Sequence, residues 1–86
     1  MARKLIFSPR GWRDYQSWID DRKAIRRVNT LIRDALRTPD SGAGKPKPLS
    51  GDLQGLWSRR IDEEHRLVYV SRDDSIEIAM CRTHYQ

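Results

Sequence analysis

The apolar residues of the chain change their period about halfway along it, and that change divides the predicted elements into a helical half and a strand half. Lys4 with Leu5, Ile6 and Phe7 predicts a short first strand, after which Ser8 offers a capping hydroxyl and Pro9 a first-turn proline. Trp12, Tyr15, Trp18 and Ile19 then recur at helical spacing, so the first helix is expected to run to about Ile19, with Arg13, Asp14 and Ser17 on its other sides. Asp20 or Asp21 caps a second helix, whose stripe is Ala24, Ile25, Val28, Leu31, Ile32, Ala35 and Leu36. Arg22, Lys23, Arg26, Arg33 and Asp34 fall mainly off that stripe, and Thr38-Pro39 ends the helix. Helices joined by almost no linker form an antiparallel hairpin, and its joint apolar face needs a sheet to cover it.

The second half supplies that sheet. Residues 53–61, 65–71 and 75–83 are three strand-like runs separated by the polar turns Asp62-Glu63-Glu64 and Arg72-Asp73-Asp74, which predicts an antiparallel meander. Residues 40–51 are too rich in Gly and Pro for regular structure and are expected to be a loop, the usual place for function. The predicted fold is α+β: one strand, a two-helix hairpin and a three-stranded meander, with both helices on one face of the sheet and the chemistry on the other. Strand order stays open. Positions 12, 15, 18, 25, 28 and 32 are assigned to the core, and Trp57 is expected to pack rather than stand exposed.

With 86 residues, one domain spanning 1–86 is expected. Lys and Arg number 17 against 12 acidic residues, a net charge of +5, which favours a polyanionic partner. Cys81 is the only cysteine, so neither an intramolecular disulfide nor a multi-cysteine metal site can form. No apolar run reaches the roughly 20 residues that span a bilayer, and the start is too short for a signal peptide. A soluble cytoplasmic protein with no membrane partner is expected.

His65 and His84 are the two side chains that ordinarily titrate near neutrality, and Arg59, Arg60, Arg66 and Arg82 crowd the meander. Strand alternation groups Arg60 with Ser58 and Leu56, and Arg59 with Trp57 and Ile61, so one of the adjacent arginines alone can face a given site. Arginines beside a histidine and a basic loop suit RNA cleavage by the strand's own 2′-hydroxyl. That reaction needs a base, cations to stabilise the phosphorane and an acid for the leaving 5′-oxygen, and it requires no metal or other cofactor. The same residues also fit phosphate binding without cleavage, or a merely solvated sheet face.

Longer motifs add a resemblance. Gly44-Lys45-Pro46-Lys47-Pro48-Leu49, then Leu53-Gln54-Gly55-Leu56-Trp57-Ser58-Arg59-Arg60-Ile61 and Glu63-Glu64-His65-Arg66-Leu67-Val68-Tyr69, resemble the signature of the YoeB (Txe) toxins of the RelE superfamily. Cys81-Arg82-Thr83-His84-Tyr85 resembles the closing segment of that family, and Trp12, Asp14, Tyr15, Trp18 and Arg37-Thr38-Pro39 resemble its helical half. The resemblance implies a RelE-like toxin that cleaves mRNA in the ribosomal A site. It further implies a homodimer, inhibition by a YefM-type antitoxin, and contact with operator DNA only through the antitoxin complex. Carried over, Arg66 is the phosphate stabiliser, His84 the general acid, Tyr85 its helper and Arg60 a supporting arginine; Lys45, Arg59, Arg60 and Arg82 are the expected RNA-binding residues.

The chain departs from that pattern where the resemblance assigns the base. The family's glutamate in Lys-Pro-Glu-Pro-Leu is replaced by Lys47, and the lysine three residues later by Ser50. Either Lys47 has a strongly lowered pKa, or Glu63 or Glu64 substitutes, Glu64 being the candidate, or cleavage is weak. Gln86 extends the chain past the usual terminal tyrosine. A catalytically weakened binder of ribosome or antitoxin is the alternative function, and a ParE-like gyrase inhibitor on the same fold a further one, against which Arg82-Thr83-His84-Tyr85 argues.

Overall fold

The computed structural model describes residues 3–51 and 55–83. In chain order the elements are β1 (Lys4–Phe7), α1 (Pro9–Ser17), α2 (Arg22–Arg37), β2 (Lys47–Pro48), β3 (Leu56–Arg60), β4 (Arg66–Ser71) and β5 (Ser75–Thr83). Both helices start at the residues whose side chains favour a cap. The Ser8 hydroxyl accepts the Gly11 N–H at 2.9 Å and donates to the Ala79 carbonyl at 2.8 Å, so the cap of α1 is also a tie to β5. Asp21 accepts the Ala24 N–H at 3.0 Å and opens α2.

The strands lie in the order β1-β5-β4-β3-β2. β5, β4 and β3 form the expected antiparallel meander. β1 pairs with β5 in parallel, Leu5 beside Ile76 and Phe7 beside Ile78, because the chain makes its return through both helices before entering the meander. The helices cover one face, where Trp18, Val28, Leu31 and Ala35 bury themselves against Leu67, Tyr69, Ile78 and Cys81. This is the predicted α+β arrangement. Trp57 packs against the same core. Among the described residues no helix is long and apolar enough to cross a membrane.

Four expectations need correction. The Gly-Pro segment is not wholly irregular: β2 pairs antiparallel with β3, and the Leu49 N–H donates to the Leu56 carbonyl at 2.8 Å. Proline lacks a donor but is tolerated on a sheet edge, which is where Pro48 sits. β3 and β4 begin at Leu56 and Arg66, later than residues 53 and 65, and Leu53 lies outside the described residues. α1 ends at Ser17, where the Trp18 N–H turns back to the Tyr15 carbonyl; Ile19 thereby leaves the helical stripe and is 52% exposed. Trp12 is 48% exposed rather than core, stacked on Tyr15 and edge-on to Phe7 at the rim of the helical layer.

α1 approaches β5 closely at Gly11, where an added β-carbon would collide with the Ile78 carbonyl oxygen. Gly11→Ala must therefore push helix from sheet. It is expected to cost about 1–3 kcal/mol, visible as a lower urea midpoint at unchanged slope.

Candidate active site on the outer face of the sheet

Paired residues of neighbouring strands project to the same side of a sheet, so the register sorts the candidates by face. Lys47 pairs with Ser58, Ser58 with Val68 and Val68 with Met80, which makes one row across β2 to β5. Arg60 pairs with Arg66 and Arg66 with Thr83, the next row on the same side. Arg59, Leu67 and Tyr69 alternate to the opposite, helix-covered side. Lys47, Arg60 and Arg66 thus share the outer face, as the grouping of Arg60 with Ser58 requires.

Arg60 and Arg66 stand directly across from one another, an arrangement that like charges ordinarily disfavour. Among the described residues neither forms an ion pair with a carboxylate. Arg66 instead donates to the carbonyls of Asp62 and His65 at 3.0 and 3.2 Å, which holds its guanidinium at the end of the β3–β4 hairpin. Adjacent cations without neutralising partners make a seat for a phosphate. Lys47 is exposed two strands and one row away from Arg66, roughly 12 Å between α-carbons at ordinary strand spacings.

Lys45 is exposed and adopts a φ of 52°, the one positive φ at a non-glycine position among the described residues. Together with Gly44 at 84° it turns the chain from the loop into β2.

Asp62 organises the turn between β3 and β4. Its Oδ1 accepts the Glu64 and His65 N–H groups at 2.8 and 2.6 Å, and its Oδ2 lies 3.3 Å from the His65 Nδ1. Burial would raise this carboxyl, but those donors outweigh it and hold the group below the usual carboxylate range. His65 is correspondingly tied down, with a side chain 16% exposed and edge-on to Trp18 at 5.1 Å, so it serves the turn. Glu64 is exposed on the same turn, two residues before Arg66.

Two arginines expected to bind RNA have other work. Arg59 is 0% exposed on the core side, its guanidinium spent on protein carbonyls, which removes it from the RNA-binding set. The reason is the strand alternation itself: with Arg60 outside, Arg59 must face in. Arg82 stacks over the Trp18 ring at 4.1 Å and donates to the Ser17 carbonyl and hydroxyl, which joins the end of β5 to α1. Further ties act on the same stretch: the Cys81 N–H donates to Asp14 and the Trp18 indole N–H to the Cys81 carbonyl at 2.7 Å. Burial pushes the Cys81 thiol up to about 12, so it is no nucleophile.

β5 ends at Thr83 beside Arg66; His84 and Tyr85 follow it in sequence and lie outside the described residues. Asp34 and Tyr69 were missed as members of the site's support. The signal for Asp34 was its being the sole acid among the polar residues of α2, whereas Tyr69 gave none, since a strand tyrosine is ordinarily core.

A family model described as "YoeB-like toxin of bacterial type II toxin-antitoxin system" matches residues 7–85. Toxin YoeB of Escherichia coli (strain K12) is 54% identical over 83 residues, covering 95% of this chain and 99% of that protein. The solved YoeB/ParE toxin from Agrobacterium tumefaciens is 46% identical with a TM-score of 0.89, covering 95% of this chain and 99% of that one. YoeB from Staphylococcus aureus, solved as a dimer, is 39% identical with a TM-score of 0.90, covering 99% of this chain and 100% of that one. The same protein solved in a YoeB-YefM complex is 38% identical with a TM-score of 0.87, at the same coverage. With a family match over nearly the whole chain and a fold shared with the solved toxins, the chain belongs to the YoeB-like toxins of bacterial type II toxin-antitoxin systems.

Proposed function

We propose that this toxin is a ribosome-dependent endoribonuclease that cleaves mRNA in the A site and so inhibits translation. The observation that carries the proposal is the opposed pair Arg60 and Arg66 on the outer face, without a neutralising carboxylate among the described residues and next to the strand end that leads to His84. In the reaction the ribose 2′-oxygen attacks the adjacent phosphorus as its proton leaves to a base. Arg66, supported by Arg60, stabilises the charge that builds on the phosphorane oxygens. The bond from phosphorus to the 5′-oxygen then breaks, and His84, helped by Tyr85, gives that oxygen a proton. The products are a 2′,3′-cyclic phosphate and a free 5′-hydroxyl, with no metal taking part. Lys45 contributes a contact to the RNA backbone, whereas Arg82 is committed to Trp18 and Ser17.

At the base position Lys47 is a weak point, because a lysine ammonium donates protons and has no lone pair to accept one. On this reading the chain is an enzyme whose proton-abstraction step is attenuated, with Glu64, exposed on the turn before Arg66, as the substitute base. Lys47 also favours a second function, occupation of the ribosome or of the antitoxin without cutting. A YefM-type antitoxin as inhibitor, a homodimer, and operator DNA reached only through the antitoxin complex are the proposed assemblies. They are supported by the family and by the relatives solved as a dimer and with YefM.

Primer extension on mRNA in a purified bacterial translation system tests the proposal. A-site cuts that need the ribosome and disappear in His84→Ala, with the variant's thermal unfolding unchanged, are the expected result. Equal cutting by the His84→Ala chain would remove the histidine from the mechanism, and a protein that leaves mRNA intact but inhibits gyrase supercoiling would remove the ribonuclease assignment altogether.

A further inference from the structure

We infer that Arg59 is a positioning residue for the site: from the buried side of β3 it sets the path of residues 38–44 and thereby where Lys47 stands on the exposed side. The inference rests on the ribonuclease assignment for its catalytic consequence and on the hydrogen bonds alone for its geometry.

Residues 38–43 have no regular structure of their own, and Arg59 supplies it. Its Nη2 donates to the Thr38 carbonyl at 2.6 Å and to the Ser41 carbonyl at 2.8 Å, its Nη1 to the Ala43 carbonyl at 3.0 Å and its Nε to the Tyr69 hydroxyl at 3.0 Å. Tyr69 passes the connection on by donating to the Pro39 carbonyl. Burial pushes this phenol above its usual range, so it keeps the proton it donates. Asp34, 4.0 Å from the Arg59 Nη1, closes the arrangement from α2 by accepting the Ala43 N–H at 2.8 Å. That bond, reinforced by Arg37, Arg59 and Arg33 against the opposing effect of burial, holds the Asp34 carboxyl below the usual range.

The chain that leaves this arrangement is the one that carries the site. Gly44 packs so closely that an added β-carbon would stand 2.7 Å from Leu31 Cδ2 and 3.0 Å from Arg59 Cβ, and its carbonyl accepts the Arg60 N–H at 2.7 Å. One turn later Lys47 pairs with Ser58. Consecutive residues of β3 thus govern the same segment from two sides: Arg59 holds the loop through its side chain, while Ser58 and Arg60 hold it through the backbone. A buried guanidinium is costly in free energy, and replacing it alone by an apolar residue would leave the Thr38, Ser41 and Ala43 carbonyls without their donor. What an apolar residue cannot reproduce is the fixed fork of donors that gathers carbonyls 38, 41 and 43 at one point.

The variants Tyr69→Phe and Arg59→Lys test this, each compared with the unmodified chain by amide hydrogen exchange and by steady-state cleavage of ribosome-bound mRNA. Tyr69→Phe removes one hydroxyl and keeps the ring in the core, so it decides the matter if Arg59→Lys fails to fold. Expected are faster exchange at the Ala43, Leu49 and Arg60 amides with the Leu67 and Ile78 amides still protected, and a kcat about 10- to 100-fold lower in the Lys47→Glu background, where position 47 carries a base. The salt dependence of RNA binding should match that of the unmodified chain, because the number of cations that meet RNA is unchanged. Arg60→Ala, in contrast, should reduce the salt dependence.

A loosened loop with unchanged kcat would make Arg59 merely structural and overturn the inference. So would unchanged loop exchange in both variants, and so would a raised KM with a smaller salt dependence, which would restore Arg59 as an RNA contact. Because Lys47 supplies no base, cleavage is compared in the Lys47→Glu background as well as in the unmodified chain. Silence there as well overturns the ribonuclease assignment and the catalytic part of the inference with it, whereas the exchange data separately decide the geometry.

Discussion

Lys47→Glu is expected to raise the rate of A-site cleavage by about 10²- to 10⁴-fold, the usual contribution of a positioned general base. The substitution reverses a charge on an exposed side chain of an edge strand, so the fold should tolerate it. β2 keeps its backbone pairing with β3, and the new carboxylate stands on the face that carries Arg60 and Arg66. Those arginines favour its ionised form, which is the form that accepts the 2′-hydroxyl proton. Primer extension over a time course with equal amounts of the two proteins measures the ratio. Equal rates would mean that the unmodified chain already has a competent base, and Glu64→Gln would then be the variant that slows it.

Arg66→Ala should lower cleavage by about 10²- to 10³-fold, the range found when one donor to a developing oxyanion is removed. The loss should appear in kcat, since the charge that Arg66 meets builds up only in the transition state. Arg60→Ala should cost less in kcat and more in KM, as befits a supporting cation that meets the ground-state phosphate. Arg66 also donates to the carbonyls of Asp62 and His65, so the variant's urea midpoint must be measured beside its kinetics. An Arg66→Ala chain that folds and cuts at the unmodified rate would move the phosphate seat elsewhere.

The sorting of the strand arginines by face was legible in the sequence. The pairing of Arg60 with Ser58 and of Arg59 with Trp57 follows from the two-residue period of a strand, and the structure keeps both groupings. Which of the two groups was buried did not follow. The choice of Arg59 for RNA failed for that reason, since a buried arginine has the same composition and charge as an exposed one. Trp12 failed similarly: helical spacing puts it near Tyr15 but not beneath another layer. β2 escaped because a strand containing Pro48 exists through the partner it meets on β3, and local propensity there favours a loop.

Taken alone, the amino-acid sequence determined the helices with the cap Ser8 and one at Asp20 or Asp21, the meander, the α+β class and the family, and the structure chose Asp21. These depend on local spacing, on turn chemistry and on motifs long enough to be specific. Only the tertiary structure decided that β1 joins β5 in parallel, that Lys47 lies in register with Ser58, that Arg66 faces Arg60, and that Arg59, Tyr69 and Asp34 shape the loop behind them. The physical reason is range. Such contacts bring together groups from 6 to 71 residues apart, and their free energy depends on burial and on which hydrogen-bond partners are left once the core has closed, quantities that no local pattern encodes.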